Sequence, residues 1–212
     1  MNEQLEIYKL DDTFLGNQDR KEFYNEVKKE FNDKGAISKK VKTIRVLLMN
    51  SLGRIYLQKR SELKDENANL YDKTVGGHVT AGNTFGLTVI KECAEELGFP
   101  ATILSEEEFE QSIKSIDLKI IGVLKKIDYI SNFESTRILK DGSNFIQPYI
   151  TEIYIGYYDG AIRFADGESC GVETFSINQL KKDIENNPNK FTEDLKFMIN
   201  KYSDFLIPVN TN

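Results

Sequence analysis

Residues 77–99 read Gly-His-Val-Thr-Ala-Gly-Asn-Thr-Phe-Gly-Leu-Thr-Val-Ile-Lys-Glu-Cys-Ala-Glu-Glu-Leu-Gly-Phe, a glycine-rich turn running directly into a helical pattern. Leu87, Ile90, Ala94 and Leu97 recur at helical spacing and predict the buried stripe. Gly98 followed by Pro100 stops the helix. Glu92, Glu95 and Glu96 stand at i, i+3 and i+4, so they project from adjacent turns as neighbours. Like charges at these spacings repel by about 0.2–0.5 kcal/mol per pair. A chain that gathers them beside a tight turn offers oxygen ligands to a hard divalent cation. The plainer alternative is a solvated helix face.

The flanking pattern places this helix in a mixed α/β chain. An alternating run at 5–10 predicts a short strand. Phe23, Tyr24, Val27 and Phe31 give 18–34 a helical stripe that Gly35 ends. Residues 42–50 and 54–60 form β-rich runs about the turn at Ser51-Leu-Gly53, a hairpin signal. Ser105 caps a short helix over 105–115, and strands are expected at 119–129 and 145–158 with a turn at Asp141-Gly142. Asp166-Gly167 marks a loop, and helices at 176–186 and 192–202 close the chain. The mixed order predicts an α/β/α sandwich with a mixed sheet. Residues 1–40 are expected to form an N-terminal strand–helix extension on a domain spanning 41–205.

Charge and cysteine content exclude several classes. Acidic side chains outnumber basic ones 34 to 28, a net charge of −6, with none of the basic striping of a nucleic-acid binder. A small phosphorylated ligand stays compatible, because local charge decides that binding. Cys93 and Cys170 form no CxxC pair, so a reducing cytoplasm is the expected compartment. The first residues lack the pattern of a signal peptide, and no apolar run approaches the roughly 20 residues that span a bilayer.

The 77–99 segment resembles the signature of the Nudix hydrolase family, G-x5-E-x7-R-E-U-x-E-E-x-G-U, where U is a bulky apolar residue. Counting from Gly77, the matching positions are Glu92, Cys93, Glu95, Glu96, Gly98 and Phe99. The glutamate and arginine positions of the signature fall on Asn83 and Lys91. The resemblance implies that Glu92, Glu95 and Glu96 bind Mg²⁺, with Mn²⁺ as a substitute, and that water attacks a diphosphate phosphorus. Lys91 would hold Glu92 through charge but without the planar fork of arginine. A further carboxylate from outside the box is expected to complete the site, with Glu152 and Glu168 as candidates. Relatives of this kind are commonly homodimers.

Residues 54–82 resemble the branch of the family that contains the isopentenyl-diphosphate isomerases. The similarity rests on Leu57-Gln-Lys-Arg-Ser61, Lys64, Tyr71-Asp72 and Val75-Gly-Gly-His-Val79. It implies that Arg60 and Lys64 hold a diphosphate, an ordinary polar strand end being the alternative. Gly77 and His78 complete the expected substrate-binding set, His78 as a turn-shaping or substrate-edge residue. Such isomerases carry a cysteine just before the Gly-His pair, where this chain has Gly76, and use several histidines, where this chain has only His78. The expectation is therefore a metal-dependent diphosphatase acting on a nucleoside diphosphate derivative or related small diphosphate. The alternative is a non-catalytic module of the same fold that senses a ligand or binds a protein.

Overall fold

A computed structural model describes residues 3–162 and 169–209, with the side chains of Ser169 and Cys170 also left aside. Glu168 and the Asp166-Gly167 turn signal lie outside the described residues. The chain opens with β1 (Gln4–Lys9), β2 (Phe14–Asp19), α1 (Arg20–Lys34), β3 (Lys39–Met49) and β4 (Arg54–Arg60). Two short strands, β5 (Tyr71–Asp72) and β6 (Val75–His78), lead into α2 (Phe85–Glu96). Then come β7 (Ala101–Ile103), α3 (Glu106–Ser112), β8 (Gly122–Ile138), β9 (Asn144–Tyr157) and β10 (Ser169–Ser176). Helices α4 (Ile177–Asn186) and α5 (Glu193–Tyr202) follow.

β3 sits at the centre because its 44–49 run has almost no polar alternation, as expected of a strand covered on both faces. It pairs in parallel with β9, Val41 opposite Tyr149 through Met49 opposite Tyr157, and antiparallel with β1, β4 and β6 at different points. The sheet order is β10-β4-β3-β9-β8-β7, a mixed α/β arrangement. Alternation along the strands sorts side chains into two layers. Leu47, Met49, Ile55, Leu57, Ile153 and Ile155 pack beneath α3, α4 and α5. Ile44, Val46, Leu48 and Tyr154 pack beneath α2. A third cluster joins Leu5, Phe23 and Val27 of the first 40 residues to Val41, Phe145 and Tyr149. Through β1 the N-terminal segment therefore shares the main sheet.

Local signals end the helices where the sequence predicts. Asp19 accepts hydrogen bonds from Lys21 N and Glu22 N at the start of α1, and Gly35 caps its end. Ser105 and Glu108 form a reciprocal capping box on α3. Two expectations fail: the strand expected over 119–129 is β8, which starts at Gly122 and runs on to Ile138, and α2 presents a different face. α2 does not bury the Leu87–Ile90–Ala94 stripe: Leu87 and Ile90 are 46% and 37% exposed, and Ala94 is also exposed. The buried residues are Thr88, Val89, Cys93, Glu96 and then Leu97. The helix is rolled so that the row Thr88–Glu92–Glu96, one turn apart at each step, faces inward beside Val89 and Cys93.

Candidate functional site

That roll brings the carboxylates into a cavity of about 520 Å³. Glu92, Glu95 and Glu96 line it together with Arg60, Lys64, Gly77 and His78. Lys91 and Glu152 are not brought to this cavity. Lys91 is exposed on the outer side of α2. Glu152 lies on β9, where it takes hydrogen bonds from Lys126 Nζ at 3.2 Å and from the Tyr154 hydroxyl.

Three local devices set the acidic wall. The Thr84 hydroxyl caps α2 by accepting from Leu87 N at 3.1 Å. Gly98, with φ of +74°, turns the chain away after the helix in a conformation that favours glycine. Gly77 on β6 passes so close to Glu92 that a β-carbon there would run into the carboxyl group. Cys93, packed on the same helix, is inert: burial first, then the charges of Glu96 and Glu92, push its thiol up to about 12.

The donors of this wall suit a hard divalent cation, since all three are carboxylates. Among the described residues, no three His, Cys, Asp or Glu side chains converge as a ready-made metal cage. Glutamates at i, i+3 and i+4 have β-carbons about 5–6 Å apart, so side-chain rotation alone lets them meet one ion. The residues thus fit Mg²⁺ or Mn²⁺ in donor type and reach.

The opposite walls are cationic, and most of their charges are tied to protein carboxylates. Arg45, 1% exposed inside β3, meets Asp194 of α5 at 3.0 Å and donates to Thr43 and Thr151. Lys73 lies 3.1 Å from Asp72 and 3.6 Å from Asp194. Arg60 reaches Asp72 at 3.4 Å and donates twice to the Glu66 carbonyl. Burial would raise the Asp194 carboxyl, but Arg45, Lys73 and Arg137 outweigh it and hold the group well below the carboxylate range.

Where α1 closes the cavity, a second polar group forms. The Tyr24 hydroxyl is 2.5 Å from His78 Nε2 and 3.0 Å from the Tyr149 hydroxyl. Arg137 Nη2 donates to the same Tyr149 hydroxyl at 3.2 Å. Burial, followed by Arg20, Arg137, Arg45 and Lys73, depresses His78 well below the usual imidazole range, so it is neutral near pH 7. In the sequence Tyr24 stands only as part of a helical stripe and Asp72 only as part of the isomerase-like pattern, neither with a role at the site, and Arg45, Arg137, Tyr149 and Asp194 are not marked at all. Arg45 carried a visible signal, a lone arginine within an apolar strand run.

An acidic helix after a glycine turn, above a mixed sheet and facing cationic walls, defines a class. The NUDIX domain matches residues 39–195, and the chain belongs to the Nudix family. Its sequence is 23% identical over 192 residues to the isopentenyl-diphosphate Delta-isomerase of Serratia proteamaculans (strain 568), covering 91% of this chain and 87% of that protein. The fold is similar to that of DR0079 from Deinococcus radiodurans, with TM-score 0.62, 17% identity, and coverage of 94% and 98% of the two chains. It also resembles a bifunctional NMN adenylyltransferase/ADP-ribose pyrophosphatase from Francisella tularensis, solved with AMP and a manganese ion. There the TM-score is 0.51 at 17% identity, over 88% of this chain and 47% of that one. Among the described residues, no helix is long and apolar enough to cross a membrane.

Proposed function

We propose that the chain is a metal-dependent Nudix hydrolase that cleaves a diphosphate linkage in a small, highly polar substrate. The observation that carries this reading is the shared cavity, with Glu92, Glu95 and Glu96 on one wall and Arg60, Lys64 and His78 on the others. Glu92, Glu95 and Glu96 would hold Mg²⁺ or Mn²⁺, which when bound neutralises phosphate charge and activates water. Lys64 serves as a point charge for phosphate oxygens. Arg60 keeps a positive charge at the wall while Asp72 and the Glu66 carbonyl fix its guanidinium. Neutral His78 presents a hydrogen-bonding edge, and Gly77 leaves room for the Glu92 carboxyl. A carboxylate of the acidic wall accepts the proton lost by the attacking water.

The cavity argues against an isoprenyl substrate. Among the described residues that line it, Ile44 is the only aliphatic side chain, whereas a hydrocarbon tail requires an apolar wall. Gly76 in place of a cysteine and the single histidine of the sequence, half-buried, argue the same way, despite the isomerase name of the curated relative.

Mg²⁺-dependent release of phosphate-containing products across a panel of nucleotide and sugar diphosphates tests the proposal. Turnover of at least one compound is expected, with a loss of at least about 100-fold on Glu96→Gln. No turnover of any panel member, or unchanged turnover in that variant, overturns it. Asn83 and Lys91, which stand at the glutamate and arginine positions of the signature, favour a second reading, a ligand-sensing or protein-binding module of the same fold. Calorimetry that detects no Mn²⁺ binding would support that second reading.

A further inference from the structure

Arg137 differs from the other cations of the cavity. Arg45, Lys73, Arg60 and Arg20 each have a carboxylate partner within 4 Å: Asp194, Asp72, Asp72 and Glu3. Arg137 has no such ion pair among the described residues. Its one hydrogen bond is the donation from Nη2 to the Tyr149 hydroxyl, and its Nε is buried with no acceptor. The nearby carboxylates are already engaged, Glu66 by Lys28 at 2.9 Å and Asp194 by Arg45. Arg137 is half-buried, and a buried Nε–H without an acceptor on a charged group is unfavourable unless an anion completes it.

The strand register gives the distance from the acidic wall. Tyr149, which holds Arg137, pairs with Val41 of β3, and Gly77, which abuts Glu92, pairs with Ile44. Three residues along a strand are about 10 Å. On that backbone spacing a diphosphate held at the glutamates does not extend to the level of Tyr149, the residue that holds Arg137.

We propose that Arg137 binds a second anionic group of the substrate, a phosphate or carboxylate carried about 10 Å beyond the scissile diphosphate. Tyr149, itself fixed by Tyr24, orients the guanidinium; Arg137 sets specificity and is not part of the bond-breaking machinery. The inference rests on the hydrolase reading for the word substrate, so the test has an arm that needs no turnover.

The Nε–H signal of Arg137, assigned by its loss in Arg137→Lys, is followed by nitrogen-15 NMR while inorganic phosphate, and separately acetate, is titrated into the metal-free protein. A saturable shift with phosphate identifies a phosphate subsite, and one with acetate alone a carboxylate subsite; either supports the proposal. A signal unmoved by both up to tens of millimolar overturns it, whether or not the protein hydrolyses anything. In the kinetic arm, paired diphosphates with and without a remote anion are compared. Arg137→Gln should reduce the preference for the anion-bearing member about 10- to 100-fold, mainly through KM, and Arg137→Lys should restore part of it. An equal loss on both members, or a loss confined to kcat, overturns the assignment. Equal thermal midpoints for wild type and variants exclude misfolding as the cause.

Discussion

At the scale of single residues, the buried charges carry the most weight. Asp194 neutralises Arg45 and accepts the Ser135 hydroxyl at 2.6 Å, so removing its charge leaves a buried guanidinium uncompensated. Asp194→Asn should lower stability by about 3–5 kcal/mol in denaturant melts at pH 7. The folded carboxyl lies below its unfolded value near 3.9, so its contribution is complete above that pH. Stability should therefore fall progressively as the wild type is acidified below about pH 4, and the Asn variant should show a shallower decline. Gly77 gives a contrasting case. In Gly77→Ala the methyl group displaces the flexible Glu92 side chain and not the backbone, so stability should change by under about 1 kcal/mol. Mn²⁺ affinity, measured by calorimetry, should drop about 10- to 100-fold, as expected when the support of a ligand moves.

At the scale of elements, the roll of α2 decides what the helix does. Two leucines of one predicted stripe now differ: Leu97 is fully buried and Leu87 is 46% exposed. Leu97→Ala should cost about 2–5 kcal/mol and Leu87→Ala no more than about 0.5 kcal/mol in the same melts. Equal costs would place the helix the other way round. The sequence missed this orientation because the apolar Leu87–Ile90–Ala94 row reads as the inner face, and only a polar cavity turns the Glu92–Glu96 row inward instead. The box itself was legible, since turn, spacing and stop are all local to residues 77–99. The helices and strands β3, β4 and β9 were legible for the same reason, through periodicity and caps, whereas only the first part of β8 was. Strands β2, β7 and β10 were not: Phe14–Asp19 has no clear alternation, and Ala101–Ile103 is too short to show one. Such strands are defined by their partners in the sheet. The Tyr24–His78–Tyr149–Arg137 group was hidden for a related reason, because its members come from α1, β6, β9 and β8 and no local pattern links them.

At the scale of the whole molecule, the cavity is a joint product of separate segments. Glu3, Arg20 and Tyr24 reach it from the N-terminal segment, which also supplies Leu5, Phe23 and Val27 to the third core cluster. A cation held by the acidic wall would bind the folded chain alone, because the unfolded chain does not keep three glutamates on one face. Mn²⁺ at 100 times its dissociation constant should then add about 2.7 kcal/mol to stability, read as a shift in denaturant midpoint that a chelator reverses. No shift at any Mn²⁺ concentration would count against a metal on this wall.

The parallel pairing of β3 with β9 has a consequence for the making of the protein. Val41 meets Tyr149, a partner more than a hundred residues later in the chain, so the central seam closes by a long-range encounter. Ordering so large an intervening loop comes before the contacts that reward it, and such topologies fold slowly. A ribosome adding about 5–20 residues per second would leave the apolar stretch of β3 without this neighbour for about 5–20 s. During that interval the strand that later forms the floor of the cavity is a sticky edge, and the nascent chain depends on β1, β4 and β6 to cover it.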